Sequence, residues 1–150
     1  MTSEELTEKL ETLKPQLTQF ERPHENRFYL SCESDNSLAI NKFLFKEIGA
    51  RFVIATAIDC EQYFEILYHY SYDQTGCVIN LKSFIRDHEH PQTESIAPVI
   101  PGAEWIEREM HDLEGIDFKN HPCLKRLILA DDWPEGVYPL RKDYKNEKEN

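Results

Sequence analysis

The residues best suited to chemistry in this chain are the run Asp87-His88-Glu89-His90 and the later pair His111-Asp112. Alternating imidazoles on an extended segment put two ring nitrogens on one side, and His111 with Asp112 would complete a nitrogen and oxygen metal site from elsewhere. A small metal-dependent enzyme using His88, His90, His111 and Asp112 is therefore one reading. It requires the four groups to converge, because zinc bonds to nitrogen and oxygen are only ~2.0–2.2 Å long. The competing reading is a solvated polar loop, since the run stands directly before Pro91, and a short match of this kind needs structural support. Glu107 and His111 stand four apart and would be neighbours on a helix, where they read as an ordinary surface pair.

Other chemistries have less to stand on. No G-x-S-x-G elbow is present, and no cysteine sits in a motif that sets it against a histidine base. The five glycines form neither G-x-G-x-x-G nor G-x-x-x-x-G-K, which argues against a phosphate cradle. Cys32, Cys60, Cys77 and Cys123 are scattered without a C-x-x-C pair. That spacing argues against an iron–sulfur or nickel site held by this chain alone and for free, mostly buried thiols in a reducing compartment. The aromatic run Tyr63, Phe64, Tyr68, Tyr70, Tyr72 reads as strand packing rather than as a flavin or base platform.

The whole chain sets further limits. Its 150 residues, 40% apolar and 30% charged, make one globular unit that can bury a core without staples. With 28 acidic against 17 basic residues the net charge is −11, a surface that repels nucleic acid and acidic lipid alike. No stretch approaches the ~20 apolar residues that cross a bilayer, and the start, MTSEELTEKL, is acidic where a secretory signal is basic. A cytoplasmic location is expected.

Several elements position these residues. Leu6, Leu10, Leu13 and Leu17 recur at helical spacing behind the capping candidates Thr2 and Ser3, with Pro15 expected to kink or end the helix. A polar link around Glu21 to Asn26 follows, then a strand over Arg27 to Glu33 and an amphipathic helix from Ser34 to about Glu47, stopped by Gly49. Arg51 to Ile58, Tyr63 to Tyr72 and Cys77 to Ile85, joined by short polar links, predict an antiparallel meander. In the middle strand Phe64, Ile66, Tyr68 and Tyr70 share one face. The whole predicts an α+β two-layer domain, an antiparallel or mixed sheet covered by helices on one face.

Prolines punctuate the chain beyond Asp87, where only Gly102 to Leu113 has a helical period, with Ile106, Met110 and Leu113 on one stripe. Past Ala130 there is no periodicity, and the charged last residues are expected to fray. This divides the chain into a domain over 1–130 and an extended docking tail over 131–150. Trp105, Trp133 and Tyr138 stand beside Arg108, Arg126, Arg141 and Lys142, a mixture enriched where proteins bury surface against each other. Trp133-Pro134-Glu135-Gly136 fits a type I turn aiming Trp133 outward, and Pro139 stiffens an arm from which Arg141 would clasp a carboxylate. The alternative is a tail that folds back on its own domain.

Three stretches carry a resemblance: Pro98-Val-Ile-Pro-Gly-Ala-Glu-Trp-Ile-Glu-Arg-Glu-Met-His-Asp-Leu113, then Gly115 to Leu129, then Asp131-Asp-Trp-Pro-Glu-Gly-Val-Tyr-Pro-Leu-Arg-Lys-Asp-Tyr144. They resemble the 30 kDa subunit family of respiratory complex I, or NADH:quinone oxidoreductase, in the version of the energy-converting membrane-bound [NiFe] hydrogenases of formate hydrogenlyase type. The sequence departs from the family at Glu114, where a second apolar residue is usual, so the end of that helix is expected to be more exposed or to meet a different partner surface.

The resemblance implies a non-catalytic structural subunit of the hydrophilic arm, without a cofactor, catalytic residue or metal of its own. It would dock on the large subunit that is the quinone-site or nickel-site homologue, beside iron–sulfur subunits that carry the electrons. Membrane contact, on the inner face, would come only through the complex. The motif positions that would serve the interface or order the tail are Trp105, Glu107, Arg108, Glu109, Asp112, His121, Pro122, Asp131, Asp132, Trp133, Pro139, Leu140, Arg141, Lys142, Asp143 and Tyr144. A free-standing adaptor is a further alternative.

Overall fold

Thr2 opens the fold as a helix cap. In the computed structural model, which describes residues 1–145, its hydroxyl accepts from the Glu5 amide at 3.2 Å while the Glu5 carboxylate accepts from the Thr2 amide at 2.7 Å. This reciprocal pair satisfies two amides that helix α1 (Ser3–Glu11) would otherwise leave bare, and Leu6 and Leu10 bury its inner face. Pro15 lies in the short 3-10 turn that ends the segment, as its missing amide requires.

The polar stretch around Glu21 to Asn26 is not a link but a strand followed by a turn. Strand β1 (Gln19–His24) pairs antiparallel with β2 (Arg27–Glu33). Its side chains are nearly all exposed, so no apolar alternation marks it, and pairing with a neighbour makes it a strand. Helix α2 (Ser34–Lys42) continues into a wider π turn over Phe43–Glu47, and Gly49 reverses the chain at φ +73, a conformation that costs glycine little. Strands β3 (Arg51–Asp59), β4 (Phe64–Tyr72) and β5 (Cys77–Ile85) form the expected meander.

The sheet order is β1-β2-β5-β4-β3, with β2 parallel to β5 and the other pairs antiparallel. On β4 the buried face is Phe64, Ile66, Tyr68, Tyr70 and Tyr72, and the Tyr70 hydroxyl donates to Asn41 Oδ1 of α2 at 2.6 Å. The sheet is mixed and covered by helices on one face, an α+β domain.

The second half contributes more to the core than its prolines suggest. Strand β6 (Gln92–Glu94) and, further on, β7 (Asp117–Lys119) make a parallel pair, each too short to show a period. Between them a 3-10 turn leads into helix α3 (Glu104–Glu114), which stops at Gly115 with φ +74. Ile96, Ile100, Met110, Ile116 and Phe118 join the same apolar cluster as the sheet. Beyond Lys119 the described residues form no helix or strand, and 146–150 of the expected tail lie outside the described residues. No helix among the described residues is long and apolar enough to cross a membrane.

Candidate functional site

Residues 121–144 have no ladder of their own, yet backbone groups removed from water need partners. Charged side chains provide them. The Asp112 carboxylate at the end of α3 accepts from the amides of Leu127, Ile128 and Leu129 at 2.7, 2.8 and 3.2 Å through one oxygen. Burial alone would raise its proton affinity, but the three amide donors outweigh it and leave the carboxyl below its ordinary range. Arg108, one turn earlier, donates to the carbonyls of Lys125 and Arg126. Arg126 in turn donates to the carbonyls of Ala130, Asp131 and Trp133. These arginines are internal braces rather than forks held out to a partner.

The chain then returns to the sheet. Leu140 donates its amide to the Leu113 carbonyl at 3.0 Å, Arg141 Nε donates to the Glu114 carbonyl at 2.6 Å, and the Lys142 amide donates to Asp59 Oδ2 at 2.9 Å. Arg141 therefore clasps a carbonyl, not a carboxylate, and lies over the rings of Phe64 and Tyr138 at 5.4 and 4.8 Å. The Tyr138 ring fills the space where a side chain at Gly115 would stand. Trp133 does not point outward. Its indole N–H donates to the Val137 carbonyl across the turn, and Tyr144 lies 6.4 Å from its ring. Up to Tyr144 the tail folds back on its own domain.

Asp59 is the anchor of this return, a role that the sequence barely marks, where Asp59-Cys60-Glu61-Gln62 reads as a polar link. Its Oδ1 accepts from the Glu61 amide and faces His88 Nε2 at 2.8 Å, while the His88 ring stacks on Phe64. Burial pushes the Asp59 proton affinity up, but the Lys142 and Glu61 amides and His88 pull it lower overall. The only local signal is an aspartate able to accept the amide two residues on, a common turn habit.

Two buried carboxyls on α3 behave differently from expectation. Glu107 is fully buried, not a surface partner of His111. It accepts from the Ser95 hydroxyl and from the Ile96 amide at 2.7 Å, with His121 Nε2 at 3.7 Å. Burial pushes the Glu107 carboxyl up to about 7, against the opposing pull of those donors. His121 donates to the Glu104 carbonyl and accepts from the Cys123 amide, which assigns the proton to Nε2. Glu114, at a helix end expected to be more exposed or to meet a different partner surface, is only 6% exposed, and its Oε2 has no hydrogen-bond partner among the described residues. Burial, with Glu109 and Asp59 nearby, pushes it up to about 8.

The metal-site candidates do not converge. His88 is engaged with Asp59, His90 is exposed, His111 Nδ1 meets the Ile116 carbonyl, and Asp112 holds three amides. Among the described residues no group of three or more His, Cys, Asp and Glu is arranged to hold a metal ion. Cys32 and Cys77 are buried, whereas Cys60 and Cys123 are half-buried, all as free thiols. Of the remaining motif positions, Trp105, Pro122, Asp131, Asp132, Leu140, Lys142 and Asp143 stand exposed, and Glu109 and Pro139 half-buried.

Comparison with known proteins gives three findings. The respiratory-chain NADH dehydrogenase 30 kDa subunit family matches residues 30–150. The C/D subunit of the NADH-quinone oxidoreductase of Bacteroides thetaiotaomicron is 40% identical over 57% of this chain, and formate hydrogenlyase subunit 5 of Escherichia coli is 42% identical over 44% of it. The matches span only 16% and 12% of those two proteins. A chain of the membrane-bound sulfane sulfur reductase, an archaeal respiratory membrane complex, has the same fold, with a TM-score of 0.83 and 24% identity over 97% of this chain and 86% of its own.

Proposed function

Because the chain belongs to the 30 kDa subunit family of the respiratory-chain NADH dehydrogenase, we propose that it is a structural subunit of the hydrophilic arm of a membrane-associated oxidoreductase complex. It docks on the large subunit, the quinone-site or nickel-site homologue, beside iron–sulfur subunits through which the electrons pass. Its place is the inner face of the membrane, reached through the assembled complex.

One observation carries this reading. The motif residues Arg108, Asp112, Arg126 and Arg141 direct their hydrogen bonds to backbone groups of the chain's own 113–133 stretch, and so present an irregular loop and tail as a fixed surface. Pre-ordering of this kind lowers the entropy lost when two proteins associate. The exposed motif positions Trp105, Pro122, Asp131, Asp132, Leu140, Lys142 and Asp143, with half-buried Glu109, then supply the contacts. In two relatives a similar segment is a small part of a much longer chain, which supports close apposition to another subunit.

The test is co-purification with a tagged large subunit, comparing the full chain with one truncated after Ala130. The truncated chain is expected to keep its sheet by circular dichroism and to lose the large subunit. Undiminished assembly would remove the tail from the interface, and stoichiometric iron, nickel or flavin on the isolated chain would overturn the structural role.

A further inference from the structure

The two margins of the sheet are built on opposite lines. β1 carries Glu21, Arg22 and Pro23, the charges and proline that keep an edge from recruiting another strand. At the other margin, β3 pairs with β4 alone among the described residues, and from Phe52 to Ile58 it holds no charge. A bulge leaves Val53 without a partner on β4. Beside this bare edge lies a groove of about 400 Å³ between β3 and α3, with Val53 50%, Ile54 47%, Trp105 67% and Ile128 53% exposed along it. An isolated exposed apolar side chain needs no explanation, but four sharing one groove mark a contact surface.

We infer that this groove and the β3 edge receive an extended segment of the large subunit, apolar at alternate positions and carrying a lysine or arginine opposite Glu109. The inference rests on the structural-subunit reading and names the surface and the chemistry of the partner. Among the described residues Glu109 is the one ionisable side chain lining the groove, and it makes no ion pair there. A cation on the incoming segment would complement it. A second copy is the poorer occupant, because each copy brings a net charge of −11 to a shared edge. An extended segment suits the site because the unpaired backbone of β3 gives it hydrogen bonds while the groove takes alternate side chains.

The experiment uses the full chain co-expressed with a tagged large subunit. Val53→Lys and Ile128→Asp are expected to reduce its recovery with the tag at least ten-fold, at an unchanged melting temperature, because both side chains are exposed. Glu109→Lys should weaken recovery several-fold, more at low salt than at high. Glu21→Lys on the β1 edge should leave it within two-fold. Hydrogen exchange supplies a second readout, with amides of β3 slowing at least ten-fold on assembly. Full recovery of Val53→Lys together with unchanged exchange in β3 overturns the groove while leaving the structural role intact. Concentration-dependent protection of β3 in the isolated chain would assign the edge to a second copy and overturn it as well. Failure of the unaltered chain to recover the large subunit overturns both readings.

Discussion

In the five-stranded sheet each strand finds its hydrogen bonds in the next strand, and its side chains are left to pack or to face water. In residues 121–144 carboxylates and guanidiniums take the place of neighbouring strands: one oxygen of Asp112 serves three amides, and Arg126 serves three carbonyls. The sheet distributes its stability over many exchangeable backbone bonds, whereas the loop concentrates it in a few ionised groups. The same length of chain is therefore far more sensitive to single substitutions and to acid in the second region than in the first.

Asp112→Ala gives the largest effect. Three amides lose their acceptor, and a loss of about 2–3 kcal/mol is expected, a fall in melting temperature of roughly 6–10 °C for a domain of this size. Thr56→Ala on the exposed side of β3 should stay within about 0.5 kcal/mol. Equal effects would dissolve the contrast. Gly115→Ala comes next, since its Cβ would lie 2.4 Å from the Tyr138 ring at a backbone φ of +74. A cost of about 1–2 kcal/mol is expected, read as faster proteolysis between 138 and 144 with the sheet still protected.

The pH dependence separates the regions further. Asp59 and Asp112 are held below their ordinary value of 3.8, so what they contribute is complete above that value and lost as pH falls through their folded range. Glu107 and Glu114 run the opposite way. Their folded affinities, about 7 and about 8, exceed the ordinary 4.5, so the contribution of their neutral forms is intact below 4.5 and drains away as pH rises towards those values. Glu114→Gln should therefore raise stability at pH 8 by more than about 1 kcal/mol and leave it almost unchanged at pH 4. Thermal melts at the two pH values check this. Within residues 121–144 the smallest effect belongs to Arg126→Lys, about 0.5–1 kcal/mol. It should appear in the fluorescence of Trp133 more than in the melting temperature, because a lysine ammonium stops about one bond short of the position that Nη1 holds among the three carbonyls.

The meander is legible in the sequence because strand alternation is a local pattern: Phe64, Ile66, Tyr68 and Tyr70 announce one buried face, and the structure buries it. Gly49 is similarly readable as a helix stop. β1 is not legible, because an exposed edge has no pattern to show. The arginines stand out as important but point to a partner, since residue type states what a guanidinium can bind and not which carbonyl stands within reach. Glu107 misleads for the related reason that an acidic residue in an amphipathic helix looks solvated until a hydroxyl and an amide from another segment surround it.

What the amino-acid order determined unaided was periodicity, charge and the family-bearing stretches, from which the α+β class and the membership followed, because each is settled by residues close together in the chain. Tertiary structure alone decided that β2 lies parallel to β5, that Glu114 is buried, and that the Lys142 amide meets Asp59, a contact between residues 83 positions apart. Hydrogen-bond geometry is sensitive to tenths of an ångström, and only the packed core brings such distant groups within that tolerance.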